Sequence, residues 1–336
     1  MIFEADMAAI NAALAPLWPR LAGARVFMTG GTGFIGRWML EALARSGVDA
    51  QVTLLSRDPD AFAARAPHLA ARFELVAGDV TSFLAPAGNY THVIHAATDA
   101  SAALNANDPR RMFDTIVEGT RRALNVAKDD KARFVFLSSG AVYGVQPWDV
   151  THVAEDWRGG PDPCDPLSAY GEGKRAAEML CAIYAQQFGL DVVNARIFAL
   201  LGPLLSLDIH FAAGNFIRDA MAGKPIRIIG SGEAVRSYLY AADLTIWLWT
   251  LLIAGKPGTV VNMGSEEAVS IADLARRTAS LLGGPGVEIL GRPDPGWNAG
   301  RYVPSTARVR AELGVAPTIS LDDAILRTAR ANGWKP

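Results

Sequence analysis

The chain has 336 residues, half of them hydrophobic and 20% charged, with a formal net charge of −2. That is the composition of a globular protein long enough for one large domain or two modest ones. The near-neutral balance supplies no global field to gather nucleic acid or an anionic membrane, so neither is expected as a partner.

Residues 4–15 pattern as a short amphipathic helix ended by Pro16 and Pro19. Glu4 and Asp6 stand where a secretory signal would place basic residues, and no long apolar core follows. No export signal is therefore expected, and a cytoplasmic location is. From Ala24 the pattern changes to short β-rich runs: ARVFMT (24–29), QVTLLS (51–56), FELVA (73–77), THVIHAA (91–97), RFVFLSS (133–139) and DVVNARIF (191–198). Helical patterns separate most of them, over 38–47, 59–71, 108–127 and 168–188. Strands alternating with helices in this way predict a parallel sheet covered on both faces.

Beyond Gly202 and Pro203 the rhythm is less regular. Helices are expected over 213–222, Asp243–Ile253, 271–282 (capped by Ser270), 305–313 and 321–331. Strands are expected over 225–229, 236–240 and 259–263. The most apolar stretch, Leu244–Ile253, is about half of the ~20 residues that a membrane span needs and reads as a buried helix. The polar, Pro/Gly-rich segment from Pro147 to Pro166 reads as a long functional loop. Cys164 and Cys181 make neither a metal spacing nor a disulfide framework, and read as thiols of a reducing compartment. His92, His95, His152 and His210 show no metal spacing either, and no metal is expected; His95 reads as a packed strand-end residue.

Residues 29–36 read TGGTGFIG, between a strand and a helix. Glycines there permit a tight turn and a close backbone approach to a pyrophosphate, and the helix start offers N–H groups to the anion. Gly30, Gly33, Phe34, Ile35 and Gly36 are the candidate dinucleotide-binding residues of this turn. The next strand ends in Ser56-Arg57-Asp58, about 20 residues past the glycines, where an NAD site expects an acid for the ribose. Ser56 and Arg57 suit a 2′-phosphate instead, which favours NADP; Asp58 keeps NAD as the alternative.

Ser139 ends the strand RFVFLSS, and Tyr170 and Lys174 follow on a predicted helix. Positions four apart share a helix face. A phenol of pKa near ~10 is a poor base alone, but a neighbouring ammonium favours its ionised form. With Ser139 to hold a substrate oxygen, the set suits proton exchange with an alcohol or carbonyl while a nicotinamide exchanges hydride.

With these motifs, the chain resembles the extended short-chain dehydrogenases/reductases that act on nucleotide-diphosphate sugars. Further segments carry the resemblance: GDV (78–80), HAAT (95–98), SSGAVYG (138–144), YGEGK (170–174), RIFALLGP (196–203), RSYLYAADL (236–244) and NMGSEEAVSIADLA (262–275). It runs from about residue 24 to 315, leaving residues 1–23 outside. It implies adenine contacts from Asp79 and Val80, a cofactor-side turn at Ala96, Ala97 and Thr98, and diphosphate contacts from Asn215 and Arg236. It also implies a homodimer through helices 108–127 and 168–188, with Ala176, Ala177 and Ala182 allowing close approach.

Two departures stand out. Ile116 replaces an asparagine that such enzymes usually carry. The turn after Ser139 holds Gly140 and Ala141, where dehydratases and decarboxylases place acids. This argues for simple redox at C4 of the sugar. The reading is a 4-ketoreductase for a 4-keto-6-deoxy sugar nucleotide; the alternatives are a 4-epimerase with tightly bound NAD, then a 4,6-dehydratase, then a non-catalytic NAD(P)-binding sensor. A reductase of small ketones is disfavoured by the extent of residues 203–336. The expected fold is α/β: a doubly wound parallel Rossmann sheet over 24–202, with 237–262 crossing back to it. A smaller C-terminal α/β substrate lobe (203–236 and 263–336) and an N-terminal helical extension (1–23) complete it.

Overall fold

The apolar runs of the first two hundred residues become strands of one parallel sheet. The computed structural model describes residues 2–98, 101–208, 212–293 and 299–335. Helix α1 (Ile2–Leu14) precedes strand β1 (Arg25–Thr29). Then follow α2 (Phe34–Arg45), β2 (Gln51–Ser56), α3 (Pro59–Arg65), α4 (Pro67–Arg72), β3 (Glu74–Ala77), β4 (His92–His95), α5 (Ala102–Asn107), α6 (Pro109–Asp130), β5 (Arg133–Ser139), α7 (Ala169–Phe188) and β6 (Val192–Ile197). The C-terminal part supplies β7 (Leu200–Leu201), α8 (Ala212–Met221), β8 (Ile226–Ile228), β9 (Val235–Arg236), β10 (Leu239–Tyr240), α9 (Ala241–Ala254) and β11 (Val260–Met263). It continues with β12 (Val269–Ser270), α10 (Ile271–Leu282), β13 (Val287–Ile289), β14 (Arg301–Tyr302), α11 (Ala307–Leu313) and α12 (Leu321–Ala331).

The central sheet has seven strands in the order β11-β6-β5-β4-β1-β2-β3, all paired in parallel. Successive side chains on a strand point to opposite faces, and the core divides accordingly. Val26, Met28, Val135 and Leu137 join the cluster under α1, α2 and α9. Phe27, Phe134 and Phe136 join the one under α6 and α7. The strand order reverses between β1 and β4, and ligands of doubly wound sheets bind outside the carboxyl ends of the strands at that point.

Residues ahead of β1 pack as an integral part of the first cluster. Met7, Ile10, Leu14, Trp18 and Leu21 are buried there. The Asp6 carboxylate, 1% exposed, accepts from the Tyr240 hydroxyl at 2.5 Å and from Arg327 Nη1 at 2.5 Å. One buried anion thus ties α1 to the start of α9 and to α12.

Three expectations change. The helix over 59–71 is two helices, because Pro67 lacks an N–H and starts α4 in its first turn. The strand over 236–240 is split: Arg236 pairs with β12 and β14, whereas Leu239 pairs with β7. The helix over 38–47 begins earlier, at Phe34. Ser270 caps α10 as expected, accepting from Asp273 N at 3.0 Å. The Leu244–Ile253 run lies in α9, buried apart from Ile246, and among the described residues no helix is long and apolar enough to cross a membrane.

Candidate active site

The glycine turn links β1 to α2. Gly30 has φ of +72°, and a Cβ there would lie 2.4 Å from the Ala96 carbonyl carbon. A Cβ on Gly36 would lie 2.4 Å from the Gly30 oxygen. Both positions need glycine for reasons of space, Gly30 for its backbone as well. Gly33 opens α2 with no side-chain cap, leaving the first-turn N–H groups of Phe34, Ile35 and Gly36 for an anion. Gly30→Ala is therefore expected to cost about 3 kcal/mol of stability and to abolish dinucleotide binding, checked by urea denaturation and fluorescence titration.

Outside β1–β4 lies a cavity of ≈ 740 Å³. Gly30, Gly33, Ser56, Arg57, Asp79, Val80, Ala96, Ala97 and Thr98 all line it. Asp79 Oδ1 accepts from Thr81 N at 2.9 Å and from Thr81 Oγ1 at 2.5 Å, and these bonds hold its carboxyl below the usual range. Oδ2 is left to accept a bond from a ligand. Asp58, the alternative ribose acid, caps α3 instead, taking a bond from Ala61 N at 2.9 Å. The residues present thus fit a dinucleotide: a cradle that side chains would fill, and a carboxylate facing the groove.

Lys174, 3% exposed, donates from Nζ to Thr98 Oγ1 at 2.9 Å and to the Leu137 carbonyl at 2.7 Å. It therefore joins the cavity wall to the end of β5. Burial pushes its ammonium down to about 7, against the pull of Glu178 one turn along α7. Burial pushes the Tyr170 phenol up, and its bond to Ser139 offsets part of this. Nζ lies 6.0 Å from the centroid of the Tyr170 ring. The structure thus brings Ser139, Tyr170 and Lys174 together beside the cavity.

The family described as NAD dependent epimerase/dehydratase matches residues 26–264. The chain belongs to this family. UDP-glucuronic acid decarboxylase 1 of Xenopus tropicalis is 30% identical over 306 residues, covering 90% of this chain and 71% of that relative. UDP-glucuronic acid decarboxylase 6 of Arabidopsis thaliana is 29% identical over 307 residues, covering 90% and 86%. Among solved structures, UDP-glucose 4-epimerase from Thermotoga maritima with UDP-glucose superposes with a TM-score of 0.77 at 22% identity, covering 92% of this chain and 98% of that one. UDP-glucuronic acid 4-epimerase from Bacillus cereus, in complex with UDP-glucuronic acid and NAD, gives 0.77 at 23%, covering 91% and 98%. The chain is an enzyme of the extended short-chain dehydrogenase/reductase type, with the Rossmann-like α/β fold of those structures.

As a member of the epimerase/dehydratase family, the chain departs at the two positions that its sequence marks. Gly140 and Ala141 begin a 3₁₀ turn, and a Cβ on Gly140 would lie 2.6 Å from the Phe198 ring. A side chain at Gly140 would have to displace that ring, and Ala141 offers only a methyl group. Ile116 is fully buried and packs against Gly173, so an apolar contact holds α6 to α7 beside Lys174. His95 is a buried connector between Thr29 Oγ1 (2.7 Å) and Thr120 Oγ1 (3.1 Å). Burial pushes it down to about 3, so it stays neutral.

Arg236 donates to the carbonyls of Val235 and Gly300, at 2.9 and 3.2 Å. Its strand places it opposite Tyr302. Asn215 is not brought to the cavity wall; its Oδ1 accepts from Arg218 at 3.4 Å along the same helix. Tyr302 was not foreseen. Its hydroxyl lies 3.3 Å from Ser139 Oγ, and burial pushes its phenol up. Its sequence signal is faint: a two-residue strand in RYVP, after a stretch rich in proline and glycine. Gln146 pairs with Arg301 and Val153 with Pro304, so the long loop and β14 close over the Ser139 end together. Among the described residues no cluster of His, Cys, Asp and Glu is placed to hold a metal ion.

Proposed function

We propose that this enzyme is an NADP(H)-dependent 4-ketoreductase of a nucleotide-diphosphate sugar, reducing a 4-keto-6-deoxy sugar. One observation carries the reading. The groups meeting at Ser139 are neutral hydroxyls, from Tyr170 and Tyr302, with the Lys174 ammonium behind them, and the following turn carries Gly140 and Ala141, neither of which can hold a proton. Among the described residues no carboxylate touches these hydroxyls, so the set suits exchange of a proton with one oxygen more than proton transfer at the neighbouring ring carbons, as dehydration requires.

Bound NADPH supplies the hydride for C4. Ser139 donates a hydrogen bond to the sugar carbonyl oxygen. Tyr170, protonated because burial raises its pKa, gives its proton to that oxygen as charge develops on it. Lys174 stabilises the resulting phenolate and, through Thr98, orients the cofactor side of the site. Tyr302 offers a second donor to the same oxygen, from the strand that carries Arg236's partner residue. Arg236 binds the diphosphate, for which a guanidinium has the matching fork.

NADP is favoured because Ser56 and Arg57 border the adenosine end while Asp58 is engaged as a cap. The solved relatives with NAD, among them the Bacillus cereus 4-epimerase, give the second reading its support. The dinucleotide carried by the purified protein separates the two. An empty site that takes up NADPH more tightly than NADH is expected; stoichiometric NAD that survives dialysis would favour the epimerase. A homodimer through α6 and α7 also belongs to the reading. Ala177 is buried in the chain's own core, whereas Met179 and Ala182, three residues apart on one face of α7, are exposed and would supply the contact. A monomeric mass by light scattering would reject it.

A further inference from the structure

Arginines and carboxylates both line the cavity, Arg57, Arg110 and Arg111 against Asp79, Asp114 and Glu118, and how they pair decides which charges face a ligand. Ser56 and Arg57 stand at the end of β2, and Arg110 and Arg111 stand across the groove in the first turn of α6; all four line the same cavity. The carboxylates of α6 are engaged elsewhere. Asp114 pairs with Arg110 at 3.0 Å, and Glu118 faces Arg121 and Arg122 at 3.6 and 3.2 Å. Asp108 caps the helix through Arg111 N at 3.0 Å. Among the described residues the guanidinium of Arg111 donates no hydrogen bond. It lies close enough to Asp79 for its charge, like that of Arg57, to help hold that carboxyl low, after the larger effect of the Thr81 bonds. Arg57 and Arg111 thus line one cavity from the end of β2 and from α6, and both act on the charge of Asp79.

We propose that Arg111 is a specificity-determining residue that binds the ribose 2′-phosphate of NADP(H) together with Arg57 and Ser56. The inference rests on the NADP reading above and deepens it. A phosphate monoester carries close to two negative charges at neutral pH and offers three acceptor oxygens. Two guanidinium forks and a hydroxyl match that charge and geometry. The 2′-hydroxyl of NAD gives Arg111 no anion to meet. The residue therefore discriminates between the two dinucleotides without adding to the affinity for what they share.

The test is equilibrium binding, which needs neither substrate nor turnover. The intact protein and its Arg111→Ala variant are titrated with NADPH, NADH, 2′,5′-ADP and 5′-AMP. Arg111→Ala is expected to weaken NADPH and 2′,5′-ADP by about tenfold, while NADH and 5′-AMP stay within about twofold. Arg111→Lys, which keeps the charge without the fork, is expected to fall between. Arg111 is exposed, so the melting temperature of the unliganded variant stays that of the parent. An equal loss for NADH and 5′-AMP would overturn the proposal, because Arg111 would then serve the shared adenosine. Unchanged NADPH binding would overturn it as well. A parent protein that binds NADH more tightly than NADPH would instead remove the NADP reading on which it stands.

Discussion

Tyr170→Phe is expected to slow hydride transfer by about 10³-fold while leaving NADPH affinity within about twofold. The phenylalanine keeps the ring and its packing against α6 and β5, and removes only the proton that the carbonyl oxygen must receive. Ser139 and Tyr302 can still donate hydrogen bonds to that oxygen, but a hydrogen bond does not replace the transfer of a proton to a developing alkoxide. Stopped-flow measurement of NADPH oxidation with UDP-4-keto-6-deoxyglucose and its TDP counterpart reads the rate, and fluorescence titration reads the affinity. The companion variant Tyr302→Phe is expected to lower the rate by about 10²-fold, the usual cost of losing one preorganised donor. A larger loss in Tyr302→Phe than in Tyr170→Phe would make Tyr302 the proton donor and reverse the assignment.

Glu178→Ala is expected to lower the unfolding free energy by about 3 kcal/mol, measured by urea denaturation at neutral pH. Glu178 lies one turn beyond Lys174 and binds Arg196 through both oxygens, at 3.0 and 2.7 Å, while accepting from Ser138 Oγ at 2.6 Å. The side chains of the pair are only 13% and 15% exposed. Deleting the carboxylate leaves a guanidinium out of water with no counter-charge, which costs far more than the pair itself contributes. Arg196 also donates to the Tyr143 hydroxyl at 2.8 Å, and Tyr143 donates to Asn262 at 2.7 Å. Asn262 in turn donates to the carbonyls of Val153 and Ser305. The loss is therefore expected to spread from α7 to the loop and strand that close over Ser139. A double variant, Glu178→Leu with Arg196→Met, removes both charges and is expected to recover much of the stability.

What the sequence made legible was what lies close along the chain. The short apolar runs and the helices between them gave the sheet and its two covered faces. The glycine turn was readable because strand, turn and helix are contiguous, and Tyr170 and Lys174 because four residues span one helical turn. The rest depends on contacts between distant segments. Tyr302 reaches Ser139 only because β14 pairs beside Arg236, a register that a two-residue strand does not announce. Arg111 and Arg57 are joined by the groove, not by spacing. The role of the first residues lay in Asp6, whose partners are Tyr240 and Arg327, and nothing near Asp6 indicates them.

The most direct test of the proposed reaction is a single turnover with NADPH deuterated at the transferable hydrogen and a 4-keto-6-deoxy sugar nucleotide. A 4-ketoreductase places one deuterium at C4 of the product and releases one equivalent of NADP⁺. No deuterium at C4 and no NADP⁺ released, together with inversion at C4 of the matching 4-hydroxy sugar nucleotide by protein that retains NAD throughout, would contradict it and make the enzyme a 4-epimerase.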